Sequence, residues 1–279
     1  MIEQDYVWID GDILPYRVGF ATQHTVYYCE IEGEHSCSPC LVTRSKSLVN
    51  KWLKRHPDML VSTKFFVEDE LQAIMTLKLM MNDIVVGSRK KAFKVIMSGE
   101  DNFRIGIATI QKYKGNRDGT EKPVHWQMLR DWLIDKCYTT VSVNEEADDV
   151  ISRACWRGCT IATIDKDLDN TPGPHYNFVK KQLYMVAPSD AMNHFYTQML
   201  TGDKADNIPG IKGIGPKKAA KILAGCTTAF DYEQSMIHIY IATYGDDWHK
   251  AMTEVGQLLW MRRETDTEMW QPTVEIIDE

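Results

Sequence analysis

The chain has 279 residues, of which 44% are hydrophobic and 25% charged, with a net charge of −7; this mix excludes a collagen-like or wholly disordered polypeptide, and the length suffices to bury a substantial core. No apolar run approaches membrane-spanning length and the N-terminus MIEQDYVWID lacks the pattern of a secretion signal, so a cytoplasmic location is expected. Seven cysteines, at 29, 37, 40, 137, 155, 159 and 226, form an odd set that suits reduced thiols better than a disulfide framework.

In chain order, Tyr6-Val7-Trp8-Ile9 predicts a buried strand, and Asp10-Gly11-Asp12 leaves its carboxyl end. Ligands of open parallel sheets bind there, although an aspartate in an ordinary turn has the same look. Residues 29 to 62 show little pattern. Cys29, His35, Cys37 and Cys40 have a spacing compatible with zinc and equally with incidental cysteine. Lys46 to His56 predicts a basic helix ended by Pro57. Glu68 to Asp83 predicts a long helix with Leu71, Ile74, Met75, Leu77, Leu79 and Met81 against the core. Phe93 to Met97 is a second strand, followed by Glu100 and Asp101, which are left out of the candidate site.

The stretch Tyr113-Lys114-Gly115-Asn116-Arg117-Asp118 places a lysine and an arginine three apart around small residues, suited to a phosphate. Lys122 to Cys137 predicts one amphipathic helix entered through Pro123, with Trp126, Leu129, Leu133 and Ile134 inward and His125 at the surface. Tyr138 to Val143 is a short strand, and Asn144 is expected to cap the helix that starts at Glu145. Glu146, Asp148 and Asp149 then crowd one helical turn, where the dipole welcomes acids but mutual repulsion calls for a cation. Thr160 to Ile164 is a further strand. Asp165 and Asp167 follow it, and in extended backbone both would reach one side, while Asp169 reads as structural. Pro172-Gly173-Pro174 predicts a loop, Tyr184 to Ala187 an edge strand and Ser189 to Leu200 a helix.

The segment Thr201 to Leu223, TGDKADNIPGIKGIGPKKAAKIL, joins two acids to a glycine hairpin and a lysine cluster. A tight turn or helix would bring Asp203 and Asp206 to one side. Gly213-Ile214-Gly215-Pro216 feeds a new helix whose N-terminus, with Lys217, Lys218 and Lys221, suits a phosphate backbone; a solvated lysine face is the plainer reading of those lysines alone. Helices are expected over 230–244 and 247–263, with Trp248, Leu258, Leu259 and Trp260 in the core.

Taken together, GDKADNIPGIKGIGPKKA, YKGNRD, EADD and the Ile9-Asp10-Gly11 turn resemble, in order, the motifs of the structure-specific 5′ nuclease family, which includes flap endonucleases and bacteriophage 5′ to 3′ exonucleases. The motifs span residues 7 to 221. The resemblance implies an α/β fold with a mostly parallel, PIN-like core over 1–187, and a helical region over 188–279 containing a helix–three-turn–helix DNA-binding segment at 201–223. It implies a short arch near 104–137, and the 28 residues between Arg117 and Glu146 suit the compact bacteriophage exonucleases better than cellular flap endonucleases. It also implies Asp10, Glu146, Asp148 and Asp165 as nearer metal ligands and Asp167, Asp203 and Asp206 at or near a second position. Asp149 completes the candidate metal set. Lys114 and Arg117 are the candidate catalytic cations, and Arg17, Arg104, Gly213, Gly215, Lys217 and Lys218 the candidate DNA contacts.

The eight acids come without a histidine or cysteine pattern, and such hard oxygen donors select Mg²⁺ or Mn²⁺ over zinc. Two ions would support in-line attack on a phosphodiester, and K⁺ on the hairpin carbonyls is a further expectation. The activity expected is a metal-dependent 5′ to 3′ exonuclease with flap endonuclease-like action on duplex DNA bearing a 5′ end, nick or flap, in bacteriophage replication, by a monomer. An RNase H-like primer-removing nuclease acting on RNA–DNA hybrids and a non-catalytic junction-binding module are the alternatives.

Overall fold

The computed structural model describes residues 3–31, 41–117, 119–263 and 269–273. Among these, the strands in chain order are β1 (Tyr6–Asp10), β2 (Gln23–Ile31), β3 (Leu41–Thr43), β4 (Met59–Val67), β5 (Ala92–Met97), β6 (Thr139–Val141), β7 (Thr160–Ala162), β8 (Gly173–Asn177) and β9 (Gln182–Val186). The helices are α1 (Ile13–Ala21), α2 (Lys46–Leu53), α3 (Glu70–Gly87), α4 (Phe103–Ile107), α5 (Trp126–Lys136), α6 (Ala147–Trp156), α7 (Pro188–Thr201), α8 (Pro216–Ile222), α9 (Ala229–Tyr244) and α10 (Trp248–Leu259). Two compact units result. One holds residues up to 12, 81–120 and those from 133 on; the other holds 13–80 and 121–132.

The first unit is built on a six-stranded sheet in the order β6-β5-β1-β7-β8-β9, parallel throughout except for the antiparallel edge strand β9. Central β1 reads YVWID because both its faces are covered, so the run is apolar without alternation. Its neighbours lead away on opposite sides, and the crevice at the carboxyl ends of β1, β5 and β7 is the switch point of an open α/β sheet. Helix α6 buries Ile151, Ala154 and Cys155 against Trp8, Ile96, Ile161 and Leu168. A fully buried side chain such as Ile151 contributes about 1.5–3 kcal/mol, and this packing fixes the α6 N-terminus.

A second core in the same unit gathers α7, α8, α9 and α10. Ile208, Ile211 and Ile214, three residues apart, all enter it and pin the glycine hairpin from below. Residues 188–263 thus belong to the same compact unit as the sheet, and the boundary expected near 187 does not separate the units. The physical tie is Arg104, whose guanidinium donates to the carbonyls of Leu258 (3.0 Å) and Trp260 (2.7 Å).

The second unit contains the antiparallel sheet β3-β2-β4, with α2 packed through Val49 onto Cys29 and Met59. Of the suggested zinc ligands only Cys29 is described, and it is buried; His35, Cys37 and Cys40 lie outside the described residues, as does Asp118.

Several local expectations change. In α3 the buried positions are Ala73, Leu77, Met81 and Ile84, a 4-4-3 spacing, whereas Leu71, Met75 and Leu79 are 70%, 47% and 62% exposed. The apolar residues of this helix therefore cover more than one face. Helix α5 starts at Trp126, whose N–H bonds the Pro123 carbonyl; Ile134 faces solvent and His125 is buried with a ring nitrogen 2.7 Å from the Glu68 carbonyl. Asn144 sits in a left-handed conformation and Glu146 is the N-cap of α6. Gly173 and Pro174 open β8, a strand where a loop was expected.

Gly11 explains the third letter of Ile-Asp-Gly. Its N–H bonds the Ile96 carbonyl at 2.7 Å, and a Cβ there would lie 2.5 Å from Val95 Cγ1 and 2.6 Å from the Ile96 oxygen. Gly11→Ala is expected to destabilise the chain by about 1–3 kcal/mol through overpacking, read as a lower midpoint in urea unfolding.

Candidate metal centre

The sheet delivers Asp10 at the end of β1 and Asp165 just beyond β7. Asp10 is 3% exposed, and the Thr163 hydroxyl donates to its Oδ2 at 3.0 Å while accepting the Asp165 N–H at 2.9 Å. Burial, reinforced by the charges of Asp12 and Asp165, pushes Asp10 up to about 8. Asp148, in the first turn of α6, is raised well above the carboxylate range by burial and by Asp10, Asp165 and Glu146. Asp165 is raised by burial and also feels Asp206 and Asp203.

Asp165 and Asp167 do not lie on one extended strand. The chain turns into a 3-10 segment, Asp167–Asn170, and Asp165 Oδ1 accepts the Asp167 N–H at 3.0 Å. The turn still serves the cluster, because Asp167, Asp203 and Asp206 each place an oxygen within 4.8 Å of the others. Asp167 is pushed up to about 8 by burial, Asp165 and Asp203. Gln198 donates to its Oδ1 at 2.6 Å. Asp203 Oδ2 is buried with no donor beside it, and the Asp167 carboxyl faces it. Opposed carboxylates of this kind need a proton or a cation between them. An all-oxygen set with an unsatisfied oxygen fits a hard divalent cation.

Asp203 and Asp206 are held by a turn closed on itself: Asp203 and Ile208 exchange backbone hydrogen bonds of 3.0 and 2.8 Å. Gly202, at φ +68°, permits this, because a Cβ there would meet the backbone of Ile208 and Gly210. The YKGNRD segment fastens to that same turn. Lys114 N–H donates to the Asp206 carbonyl (2.8 Å), Asn116 Nδ2 to the Lys204 carbonyl (2.6 Å), Arg117 Nε to the Ala205 carbonyl (3.1 Å), and Asn207 Nδ2 to the Lys112 carbonyl (2.9 Å). Two motifs almost 90 residues apart thus form one piece.

The join aims charge at the acids. Lys114 Nζ bonds Glu146 Oε1 at 2.5 Å and lies 3.5 Å from Asp206 Oδ2, and Arg117 pairs with Asp206 Oδ1. Burial alone would lower the Lys114 pKa, but Glu146 and Asp206 outweigh it and hold the amine charged. The Tyr113 hydroxyl lies 2.9 Å from Glu146 Oε2 and 2.8 Å from Asp206 Oδ2, and burial with these two acids pushes its pKa up, so it stays a donor. Tyr113, Thr163 and Gln198 were not foreseen. Only Tyr113 carried a signal, as the aromatic that opens YKGNRD.

Two candidates leave the site. Asp149 is fully buried and its oxygens are taken by Arg104 (2.6 and 2.9 Å), by the Arg262 N–H (3.2 Å) and by the Glu146 N–H (3.1 Å). Burial would raise its pKa, but Arg104 overrides this and holds it low. No oxygen remains for a metal. Arg104 is 1% exposed and spends its donors on Asp149 and two carbonyls, so it is not a DNA contact. The structure leaves Arg17 exposed on α1, and Gly213, Gly215, Lys217 and Lys218 exposed at the start of α8. Glu100 and Asp101 are exposed outside the cluster.

The fold and site are thus those of an open α/β sheet with a carboxylate cluster at its switch point. No family model matches the chain. It is 31% identical over 176 residues to DNA polymerase I of Bacillus caldotenax, covering 54% of this chain and 20% of the polymerase. It is 36% identical over 92 residues to DNA polymerase I of Deinococcus radiodurans, covering 28% and 10% respectively. The chain spans at most about a fifth of the length of these curated relatives. Among solved structures, T5 5′-exonuclease with zinc ions bound shares 14% identity at a TM-score of 0.48, over 91% of this chain and 99% of that one. No helix among the described residues is long and apolar enough to cross a membrane.

Two outcomes follow from these charges. Removing one partner of the buried Arg104–Asp149 pair, as in Asp149→Ala, is expected to cost about 3–5 kcal/mol in denaturant unfolding. Asp10 and Asp167 titrate near 8 when folded and near 3.8 when unfolded, so the folded state binds the extra protons. Stability in EDTA is then expected to fall as pH rises from about 7 to about 8.5. His175 and His194, whose pKa values burial lowers, have made their opposite contribution below that window. Thermal melts with and without Mg²⁺ check this: the fall should shrink when the cation replaces the protons, and a flat profile in EDTA would refute it.

Proposed function

We propose that this chain is a divalent-metal-dependent 5′ to 3′ exonuclease with flap endonuclease-like activity, hydrolysing DNA phosphodiesters at 5′ ends or junctions during bacteriophage replication. The observation that carries the reading is the oxygen cluster Asp167, Asp203 and Asp206, electrostatically joined through Asp165 to Asp10 and Asp148, with Lys114 and Arg117 bonded to its rim. The order of the family-like motifs and the similarity to DNA polymerases support it.

Asp10, Glu146, Asp148 and Asp165 would hold one Mg²⁺ or Mn²⁺, with Asp167, Asp203 and Asp206 holding a second. When bound, such ions supply Lewis acidity toward a phosphodiester and lower the pKa of a water nucleophile. Thr163 fixes the Asp10 carboxyl, and Gln198 and the turn at 203–208 fix the others, so the donor set is pre-arranged. Lys114 stays cationic at the rim, where it neutralises charge that builds on the scissile phosphate. Arg117, paired with Asp206 at the exposed rim, carries a guanidinium suited to holding a phosphate with two parallel bonds. Gly213, Gly215, Lys217 and Lys218 form an exposed phosphate-binding hairpin, with K⁺ on its carbonyls, and Arg17 adds a backbone contact. Such contacts carry affinity without reading bases, so end structure sets selectivity. The working form is a monomer.

The test is cleavage of 5′-labelled blunt, nicked and flapped duplexes. Wild type should release short 5′ products with Mg²⁺ and none with EDTA. Asp148→Asn should abolish product, and Lys114→Ala should slow kcat by about 10²–10³-fold. Binding without cleavage of any of these substrates by wild type would leave a DNA-binding protein in place of an enzyme.

A further inference from the structure

The second unit presents a surface the metal centre does not use. Direct cross-strand partners share a face of a sheet, so β3-β2-β4 has two unlike sides. Cys29, Leu41 and Met59 stand on one and pack with Val49, Trp52 and Leu53. On the other stand His24 with Phe66, Val26 with Lys64, and Tyr28 with Val42. That side is partly open: Val42 is 53% exposed and Lys64 and Arg44 are exposed, while His24, Val26, Tyr28 and Phe66 are half-buried.

The His24 and Phe66 rings stack, with centroids 5.5 Å apart and planes 13° from parallel, and Lys64 Nζ lies 5.0 Å from the Phe66 centroid. Arg44, one step beyond β3, lines the same groove as His24, Val26 and Tyr28. Strands are about 4.8 Å apart, so Lys64 and Arg44 stand about 10 Å apart astride the central strand. The acids of this face, Glu30 and Glu68, lie at its two ends. The unit as a whole carries ten Lys and Arg against nine Asp and Glu, in a chain that carries 32 against 39, so it is spared the acidic excess found elsewhere.

His24 and Tyr28 on the central strand, Phe66 beside His24 on β4, and the two cations on either side of the intervening Val26 match a chain of exposed bases joined by phosphates. Every base has a π-face, so stacking on such rings tolerates any base sequence. A duplex hides its bases and would engage the cations alone. We propose that the open face of the β3-β2-β4 sheet binds single-stranded DNA, with bases on the His24, Tyr28 and Phe66 strip and phosphates on Lys64 and Arg44. The choice of DNA among single-stranded polyanions rests on the nuclease reading; the sheet geometry does not.

The full chain in EDTA, titrated against fluorescent oligothymidylate, tests this by anisotropy. The Lys64→Glu, Arg44→Glu double variant should weaken single-strand binding at least about 10-fold and reduce the salt slope by about 1.4, since each lost phosphate contact removes about 0.7. Cleavage of blunt duplex should be unchanged. The swap Lys64→Arg, Arg44→Lys should retain wild-type binding, which separates lost charge from a damaged fold, and bromodeoxyuridine photocrosslinks should map to His24, Tyr28 or Phe66. Unchanged oligothymidylate affinity in the Glu variant, equal loss in the swapped variant, crosslinks elsewhere, a preference of more than about 10-fold for RNA, or burial of this face in a dimer by sedimentation would each overturn the inference. Wild type that binds oligothymidylate here but cuts no DNA with Mg²⁺ would reject the nuclease reading and keep this surface.

Discussion

Mutual repulsion among carboxylates gathered at one end of a sheet is the constraint around which the first unit is arranged. Asp10, Asp148, Asp165 and Asp167 are all pushed upward in pKa by burial and by one another. An arrangement so costly persists only where the surrounding packing is strong enough to impose it. That packing is supplied by the apolar β1 strand, by α6 seated on the sheet through Ile151, and by the isoleucines at 208, 211 and 214 sunk into the helical core.

The protein relieves part of the repulsion with its own cations. Lys114 and Arg117 reach the rim acids, and Tyr113 supplies one hydroxyl to two carboxylates that cannot both receive its proton. The two cations sit at the open rim, with 28% of the Lys114 side chain and 52% of the Arg117 side chain exposed. Arg104 and Asp149 behave differently. They satisfy each other completely and are sealed by carbonyls and amides, so they hold the α6 N-terminus in place while its other acids remain available.

Much of this was legible in the sequence where strand, loop and charge coincide. Apolar YVWI followed by Asp10, and Thr160 to Ile164 followed by Asp165, announced both strand ends, because a buried parallel strand needs unbroken apolar character and a polar exit. What was illegible has physical causes. Strand β4 is exposed along nearly its whole length, so MLVSTKFFV shows no alternation to read. Helix α3 is apolar on more than one face, and its periodicity was blurred accordingly. EADD offers three acids in one turn, and the distant arginine that claims one of them leaves no mark in the motif itself. Asp149 is set apart from Asp148 by its third place in the helix, from which it accepts the Glu146 N–H, by a partner 45 residues upstream and by backbone groups beyond residue 257.

That last dependence bears on when the site can exist. Every acid of the cluster is in the chain once residue 206 has been added, yet the carbonyls of Leu258 and Trp260 and the amide of Arg262, which complete the Arg104–Asp149 lock, are added only after it. A nascent chain short of them carries a buried ion pair without its remaining partners and a loosely held α6 N-terminus. The end of α6 that carries Glu146 and Asp148 is therefore held by residues far along the chain from it, Arg262 among them 113 positions beyond Asp149.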